Sequence, residues 1–354
     1  MEKKFRRIGV LTSGGDAPGM NAAVRAVTRT AIQCGVEVFG IYEGYKGLIN
    51  ENMKLFSDRD VSNIINIGGT LLYSDRCLEF KTEEGMQKAI ATCEKNNIDG
   101  IVAIGGDGTF RGATDLTARG IPTIGIPGTI DNDITATDYS IGFDTAMNTV
   151  VQMVDRLRDT CESHARCNVV EVMGRNAGYI ALQTGIALGA SAIVTREIPF
   201  DADKAIEKIK ASRATGKRNF IVIVAEGVPD FAEGYAKRIQ AETGIETKFA
   251  RLAHVVRGGN PTLRDRLIAS QMGEEAVRLL LAGKSNLVVC ERDSKIVSMD
   301  ITYAQMIDRM YKGTLKDGDL DNFNDEQIAD MKAFCKMREA DFAKMYNTAD
   351  VISH

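Results

Sequence analysis

Apolar residues cluster in eight short runs, at residues 8–11, 36–41, 101–104, 121–126, 169–172, 193–194, 220–225 and 287–290. Each is rich in Val, Ile or Leu and ends at glycine or polar residues, a pattern that predicts buried β-strands. Between them apolar positions recur with helical spacing over 21–34, 83–96, 144–161, 177–188, 203–214 and 265–282, predicting helices there. The alternation predicts an α/β fold of parallel sheets with helices on both faces. Ligands of such sheets bind at the carboxyl ends of the strands. The chain's polar and glycine-rich clusters fall there, at 12–16, 105–109, 128–133, 173–175 and 226–227. Beyond about Lys312 the chain turns polar. Met331, Phe334, Met337, Phe342 and Met345 predict an amphipathic terminal helix docked on the body.

A length of 354 residues is long for one core and predicts two domains. No apolar run approaches the roughly 18 residues needed to span a bilayer. Glycine and polar residues at 9–16 interrupt any signal-peptide stretch after the basic start. The seven cysteines (34, 77, 93, 161, 167, 290 and 335) are odd in number and form no CxxC, which points to reduced thiols in the cytoplasm. The net charge of −4 provides no global attraction for nucleic acid or anionic lipid, and without Trp an aromatic platform for single strands is disfavoured. An anionic substrate must therefore be held by local Arg and Lys.

The densest chemistry is in Pro127-Gly128-Thr129-Ile130-Asp131-Asn132-Asp133. The strand ends by delivering a hydroxyl and two carboxylates into one turn, and carboxylates two apart in extended chain share a side. Such a pair can hold a metal and take a proton from an attacking hydroxyl. Gly105-Gly106-Asp107-Gly108-Thr109 can cradle phosphates on backbone N–H groups while Asp107 reaches a Mg²⁺ bridging them. Thr12-Ser13-Gly14-Gly15-Asp16 is a second glycine turn before a helix, and is neither a Walker A loop nor a dinucleotide GxGxxG. Arg175 after Met173-Gly174, and Arg76, are permanent cations available to phosphoryl oxygens. His254 and Arg257, three apart, could clamp a phosphomonoester, and Glu226 could accept hydrogen bonds from sugar hydroxyls.

Taken together, LTSGGDAPGMNAA, GGDGT, PGTIDND, EVMGR and HVVRGG resemble the bacterial-type ATP-dependent 6-phosphofructokinases in order and spacing, from about residue 6 to about residue 310. NAD and diacylglycerol kinases share the GGDG turn alone. The resemblance implies two doubly wound three-layer α/β/α domains with the active site in the cleft between them. It implies an ATP-binding domain of 1–141 plus 254–304 and a fructose 6-phosphate domain of 142–253 plus 305–354. The implied reaction, the committed step of glycolysis, is transfer of the γ-phosphoryl of ATP to the 1-hydroxyl of fructose 6-phosphate. Asp131 would be the base, with Thr129 and Asp133 completing its wall and Arg76 and Arg175 stabilising the transferring group. Gly15, Arg76, Cys77, Gly106, Asp107, Gly108 and Thr109 would bind ATP, and Asp107 its Mg²⁺. Thr129, Ile130, Asp131, Met173, Gly174, Arg175 and Glu226 would hold the sugar. His254 and Arg257 would hold its 6-phosphate. Arg166 and Lys248 would reach that phosphate from a neighbouring subunit of a homotetramer with shared sites.

Glycine at 108 and 128, where pyrophosphate-dependent relatives usually carry Asp and Lys, implies room for the α-phosphate of ATP. A pyrophosphate-dependent enzyme and a non-catalytic regulatory homologue are the rival readings. Lys248 stands where Arg is usual. At the family's effector site Arg25, Arg29, Arg158 and Lys217 match basic positions. There Asp58 replaces Arg, Ser191 replaces Glu and Thr215 replaces Lys, which implies altered allostery.

Overall fold

The computed structural model describes residues 5–352. In chain order the strands are β1 (Arg7–Thr12), β2 (Glu37–Ile41), β3 (Met53–Phe56), β4 (Gly100–Gly105), β5 (Thr123–Pro127), β6 (Cys167–Val172), β7 (Ala192–Val194), β8 (Phe220–Ala225), β9 (Thr247–Arg251), β10 (Leu287–Arg292) and β11 (Lys295–Asp300). They form a seven-stranded sheet, ordered β11-β10-β5-β4-β1-β2-β3, and a four-stranded sheet, ordered β7-β8-β6-β9. The larger sheet is parallel from β10 to β2, with an antiparallel strand at each edge. The smaller is parallel throughout.

Each of the eight apolar runs marks a strand, those at 36–41 and 121–126 starting one and two residues early, because these strands are covered on both faces and so read as continuous hydrophobic stretches. The strands that the pattern misses, β3, β9 and β11, close sheet edges and are largely solvent-exposed. Their composition, MKLF, TKFAR and KIVSMD, is polar because one face and one edge meet water.

The chain divides into two compact units. The first holds the chain up to Ile130, then Ile134–Asp144 and Arg257–Cys335. The second holds Asp131–Asp133, Thr145–Val256 and the chain from Lys336 onward. This division differs from the expected boundaries in four places: 142–144 join the first unit and 254–256, with His254, the second, and two further segments change unit. Residues 305–335 belong to the first unit, because Met306 and Ile307 pack with Met331 and Cys335, and buried Asp308 accepts the Thr135 hydroxyl at 2.7 Å. Residues 131–133 belong to the second, where Asp131 pairs with Arg175. The second core is built on Cys167, Val169, Ile206, Phe220, Val222 and Ile239.

The terminal helix, Asp325–Ile352, buries Met331, Cys335, Phe342 and Ala349 along one stripe. In the second unit the Phe342 ring meets Tyr179 edge-on at 5.2 Å, and the Tyr346 hydroxyl donates to the Ile193 carbonyl at 2.9 Å. Met337 falls off this stripe and is 45% exposed, correcting its assignment to the docking face.

The helix Asp107–Ala118 begins inside the second glycine turn and buries Thr109, Phe110, Gly112, Ala113 and Leu116. Gly112 is one of them. A Cβ there would stand 2.6 Å from the Tyr45 ring, which stacks on Phe80 at 4.1 Å. Gly112→Ala gains about 1 kcal/mol of helix propensity but overpacks this stack at about 1–3 kcal/mol. The expected net result is a lowered Tm, checked by thermal unfolding; an unchanged or raised Tm would show that the ring gives way freely.

Candidate active site

Two glycine turns are sewn together at the carboxyl edge of the larger sheet. The Ser13 N–H donates to the Ile104 carbonyl at 2.9 Å, and the Thr109 hydroxyl donates to the Ser13 carbonyl at 3.2 Å. A Cβ on Gly105 would overlap both Ser13 and Thr109, so only glycine permits this approach. The Thr12 hydroxyl donates to the Tyr73 carbonyl at 2.7 Å, and the Ser74 hydroxyl to the Gly14 carbonyl. These bonds hold the segment carrying Arg76 and Cys77 against the turn, and the Arg76 side chain is exposed.

Gly106 caps the helix Asp107–Ala118, whose leading N–H groups form an anion-binding end. A Cβ on Gly106 or Gly108 would meet open space. Gly128 differs: its Cβ would stand 3.1 Å from Met20 and 3.2 Å from Ile104. Its lack of a side chain therefore also relieves packing against Met20 and Ile104. Asp107 is paired with Arg111, one helical turn on, a residue that the motifs did not single out. Arg257 lies over Gly15, and its Nη1 donates to the Asp16 carbonyl at 3.2 Å. The Arg257 guanidinium is therefore engaged on the first glycine turn.

The Gly128 N–H donates to the Gly105 carbonyl at 2.9 Å, and the Thr129 carbonyl accepts the Ser140 hydroxyl at 2.6 Å, fixing the turn after β5. In the second unit Asp131 is 1% exposed and pairs with Arg175 Nε at 3.2 Å. Arg175 holds a left-handed backbone, φ +51°, after Gly174 at φ +143°. Glu226 stabilises that strained turn. Its Oε1 accepts the N–H of Gly174 at 3.1 Å and of Arg175 at 2.6 Å. Glu226 was expected to meet sugar hydroxyls, yet one of its oxygens is already committed to the backbone.

Beside this turn lies a cavity of about 820 Å³ in the second unit. The expected residues Met173, Arg175, Glu226 and His254 line it. Arg196 and Arg251 line it too and were missed. Arg251 is held by Glu171 at 2.6 Å, across the β9–β6 register that places the two opposite each other. Arg166 and Lys248 do not line this cavity. Both grip Glu246, at 2.7 and 2.8 Å, and their hydrogen bonds hold its carboxyl down at about 2. Lys248 borders a separate hollow of about 500 Å³.

Arg158 and Lys217 stand close in the second unit. Burial and then the charges of Arg158 and Lys208 lower the Lys217 ammonium. Burial pushes the thiols of Cys93, Cys167 and Cys290 up to about 12, so none of these is a thiolate nucleophile. All seven cysteines are free.

The family model described as phosphofructokinase matches residues 7–280. The chain is 52% identical over 311 residues to ATP-dependent 6-phosphofructokinase 1 of Clostridium perfringens, covering 88% of this chain and 97% of that one. It is 52% identical over 297 residues to the ATP-dependent 6-phosphofructokinase of Bacillus subtilis, covering 84% and 93%. Among solved structures, the phosphofructokinase of Saccharomyces cerevisiae aligns with TM-score 0.82 at 34% identity over 93% of this chain, which spans half the length of the yeast chain. A pyrophosphate-dependent phosphofructokinase from Marinobacter aquaeolei, at 22% identity and TM-score 0.75, shares the fold. By sequence and architecture alike, the chain belongs to the phosphofructokinase family.

Proposed function

We propose that the chain is an ATP-dependent 6-phosphofructokinase, transferring the γ-phosphoryl of ATP to the 1-hydroxyl of fructose 6-phosphate. The observation that carries this is the buried Asp131 carboxylate, held by an arginine that itself lines the second-unit cavity. A carboxylate beside that arginine can act as the base for a hydroxyl bound next to it. Arg175 then stands beside the attacked phosphorus and meets the charge that builds on its oxygens. Thr129 and Asp133 flank the base in sequence and orient the hydroxyl. The glycine turns at 12–16 and 105–109, with Thr109, Arg76 and Cys77, bind the nucleotide.

Among the described residues no three His, Cys, Asp or Glu side chains form a metal cage. That fits Mg²⁺, which binds through one or two carboxylates and completes its shell with phosphate oxygens and water. Asp107, at the head of its helix, is the residue that would hold it, and the ion would neutralise charge on the phosphates. Loading with metal requires Asp107 to share or release Arg111.

No described helix is long and apolar enough to cross a membrane. A cytoplasmic homotetramer with Arg166 and Lys248 serving a neighbour's site is the arrangement we infer from the resemblance. Lys248 offers a point charge where a guanidinium would bind phosphate in a fork. Lys248→Arg is therefore expected to lower KM for fructose 6-phosphate several-fold at unchanged kcat; an unchanged KM places Lys248 outside the site.

The test of the function is turnover by the purified protein with fructose 6-phosphate and Mg²⁺, ATP against pyrophosphate in parallel. Turnover with ATP supports the reading, turnover with pyrophosphate alone overturns the donor, and silence with both overturns catalysis. Activity of the protein alone also excludes a purely regulatory homologue.

A further inference from the structure

The turn that carries Asp131 and Asp133 is a short excursion: the chain leaves the first unit after Ile130 and rejoins it at Ile134. Asn132, between the two acids, holds a left-handed backbone at φ +50° and is buried. A turn of that shape persists only where its surroundings hold it. Its entry is held by three bonds. The Gly128 N–H donates to the Gly105 carbonyl at 2.9 Å, the Ile141 N–H to the Pro127 carbonyl at 3.0 Å, and the Ser140 hydroxyl to the Thr129 carbonyl at 2.6 Å.

Thr135, at the exit, is held by one buried carboxylate. Its hydroxyl donates to Asp308 Oδ1 at 2.7 Å, and its N–H donates to the same atom at 3.2 Å. Lys312 Nζ, one turn further on, donates to Asp308 Oδ2 at 2.8 Å. Asp308 lies on the helix Ile301–Tyr311, in step with the buried Ile301 and Ala304. Those two share a core cluster with Ile134 and Ala136, on either side of Thr135, and with Phe110 and Ala113 of the helix that Asp107 heads. One face of the helix Ile301–Tyr311 therefore backs both the end of the acidic turn and the helix assigned to the nucleotide. Thr135 and Asp308 are 4% and 8% exposed, so losing their bonds leaves buried polar groups unpaired. None of the sequence motifs singles out either residue.

We propose that Asp308 is a positioning residue: by pinning Thr135 it fixes the exit of the turn and so aims the Asp131 carboxylate at the acceptor hydroxyl. The inference rests on reading Asp131 as the base. Asp308 acts through Thr135 and the short stretch of chain that links it to Asp131. A reacting group displaced by about 1 Å can lose about 10²-fold in rate. The glycine turns at 12–16 and 105–109 are bonded to each other and do not depend on this contact. Loss of Asp308 should therefore reach kcat and spare the binding of ATP.

The test uses the full-length protein, Asp308→Ala, Asp308→Asn and Thr135→Val. It measures steady-state kcat and KM, and amide hydrogen exchange over residues 128–136. Asp308→Ala is expected to lower kcat about 10- to 100-fold with KM for ATP within about twofold, and to speed exchange in that segment. Asp308→Asn keeps an oxygen for both Thr135 donors while the half-buried Lys312 rehydrates, so its kcat should stay within about threefold of the wild type. Thr135→Val keeps the N–H bond alone and should fall between the two. A lowered Tm with an unchanged kcat in Asp308→Ala makes the contact purely structural and overturns the proposal. An Asp308→Asn no better than Asp308→Ala also overturns it, because charge and not the bonds to Thr135 would then be acting. If Asp308→Ala does not fold, Thr135→Val decides: a wild-type kcat overturns the proposal, and a reduced kcat at unchanged KM for ATP sustains it. If the wild type fails to turn over fructose 6-phosphate with ATP, the functional reading falls. The exchange measurement then decides Asp308: faster exchange over 128–136 in Asp308→Ala, restored in Asp308→Asn, sustains its hold on the turn, and unchanged exchange overturns it.

Discussion

Asp131→Asn is expected to lower kcat by about 10²–10⁴, the usual worth of a positioned general base. The substitution keeps shape and removes the carboxylate's charge and its proton affinity. Asp131 is almost fully buried, whereas the Arg175 side chain opposite it is 56% exposed. Arg175 can therefore rehydrate when its partner loses charge, so the fold should survive and the loss should be catalytic. KM for both substrates should change little, since the amide still fills the pocket. Steady-state kinetics with circular dichroism as the control separate the two effects. A variant at the wild-type rate would remove Asp131 from the chemistry, and a variant that unfolds would make the Arg175 pair structural.

Apart from β9, the parallel strands of both sheets were legible because burial on two faces leaves only apolar residues for them to use. The turns after β1, β4, β5 and β6 were legible for a related reason. Glycines, acids and an arginine concentrate where a parallel sheet exposes its carboxyl edge, and such residues stand out beside an apolar run. What escaped has a physical cause in each case. The strands β3, β9 and β11 are exposed edges, so their sequences resemble loops. The helix Asp107–Ala118 begins inside a glycine turn that reads as loop, which hides its start. Arg196 and Arg251 sit in no glycine-rich motif. They come to line one cavity only because β7 and β9 are the two edges of one sheet. A cation just past the end of an apolar run was the available signal for Arg196; β9 has no apolar run, so Arg251 had none. Glu226 and Arg257 were found by type and position, yet their contacts, to the N–H groups of 174–175 and to the Asp16 carbonyl, could be read only from the structure.

The choice of phosphoryl donor is where the two glycines part company. Gly108→Asp is expected to lower kcat/KM for ATP by at least about 100-fold. The new Cβ meets open space, so the chain should fold with an unchanged Tm. Its carboxylate would stand beside Asp107 at the end of a helix that otherwise attracts phosphate, and would repel a nucleotide by charge as well as bulk. A loss of about 3 kcal/mol in transition-state binding corresponds to that factor, and close like charges with little intervening water supply it. Gly128→Ala gives a different kind of result. Its methyl would press on Met20 and Ile104, so the variant should lose stability before it loses nucleotide. Measuring Tm and ATP kinetics for both variants tests the distinction. If Gly108→Asp keeps its ATP kinetics, the open space at 108 is not where the nucleotide lies. If Gly128→Ala keeps its Tm but loses ATP, then Gly128 does face the donor and the packing argument fails.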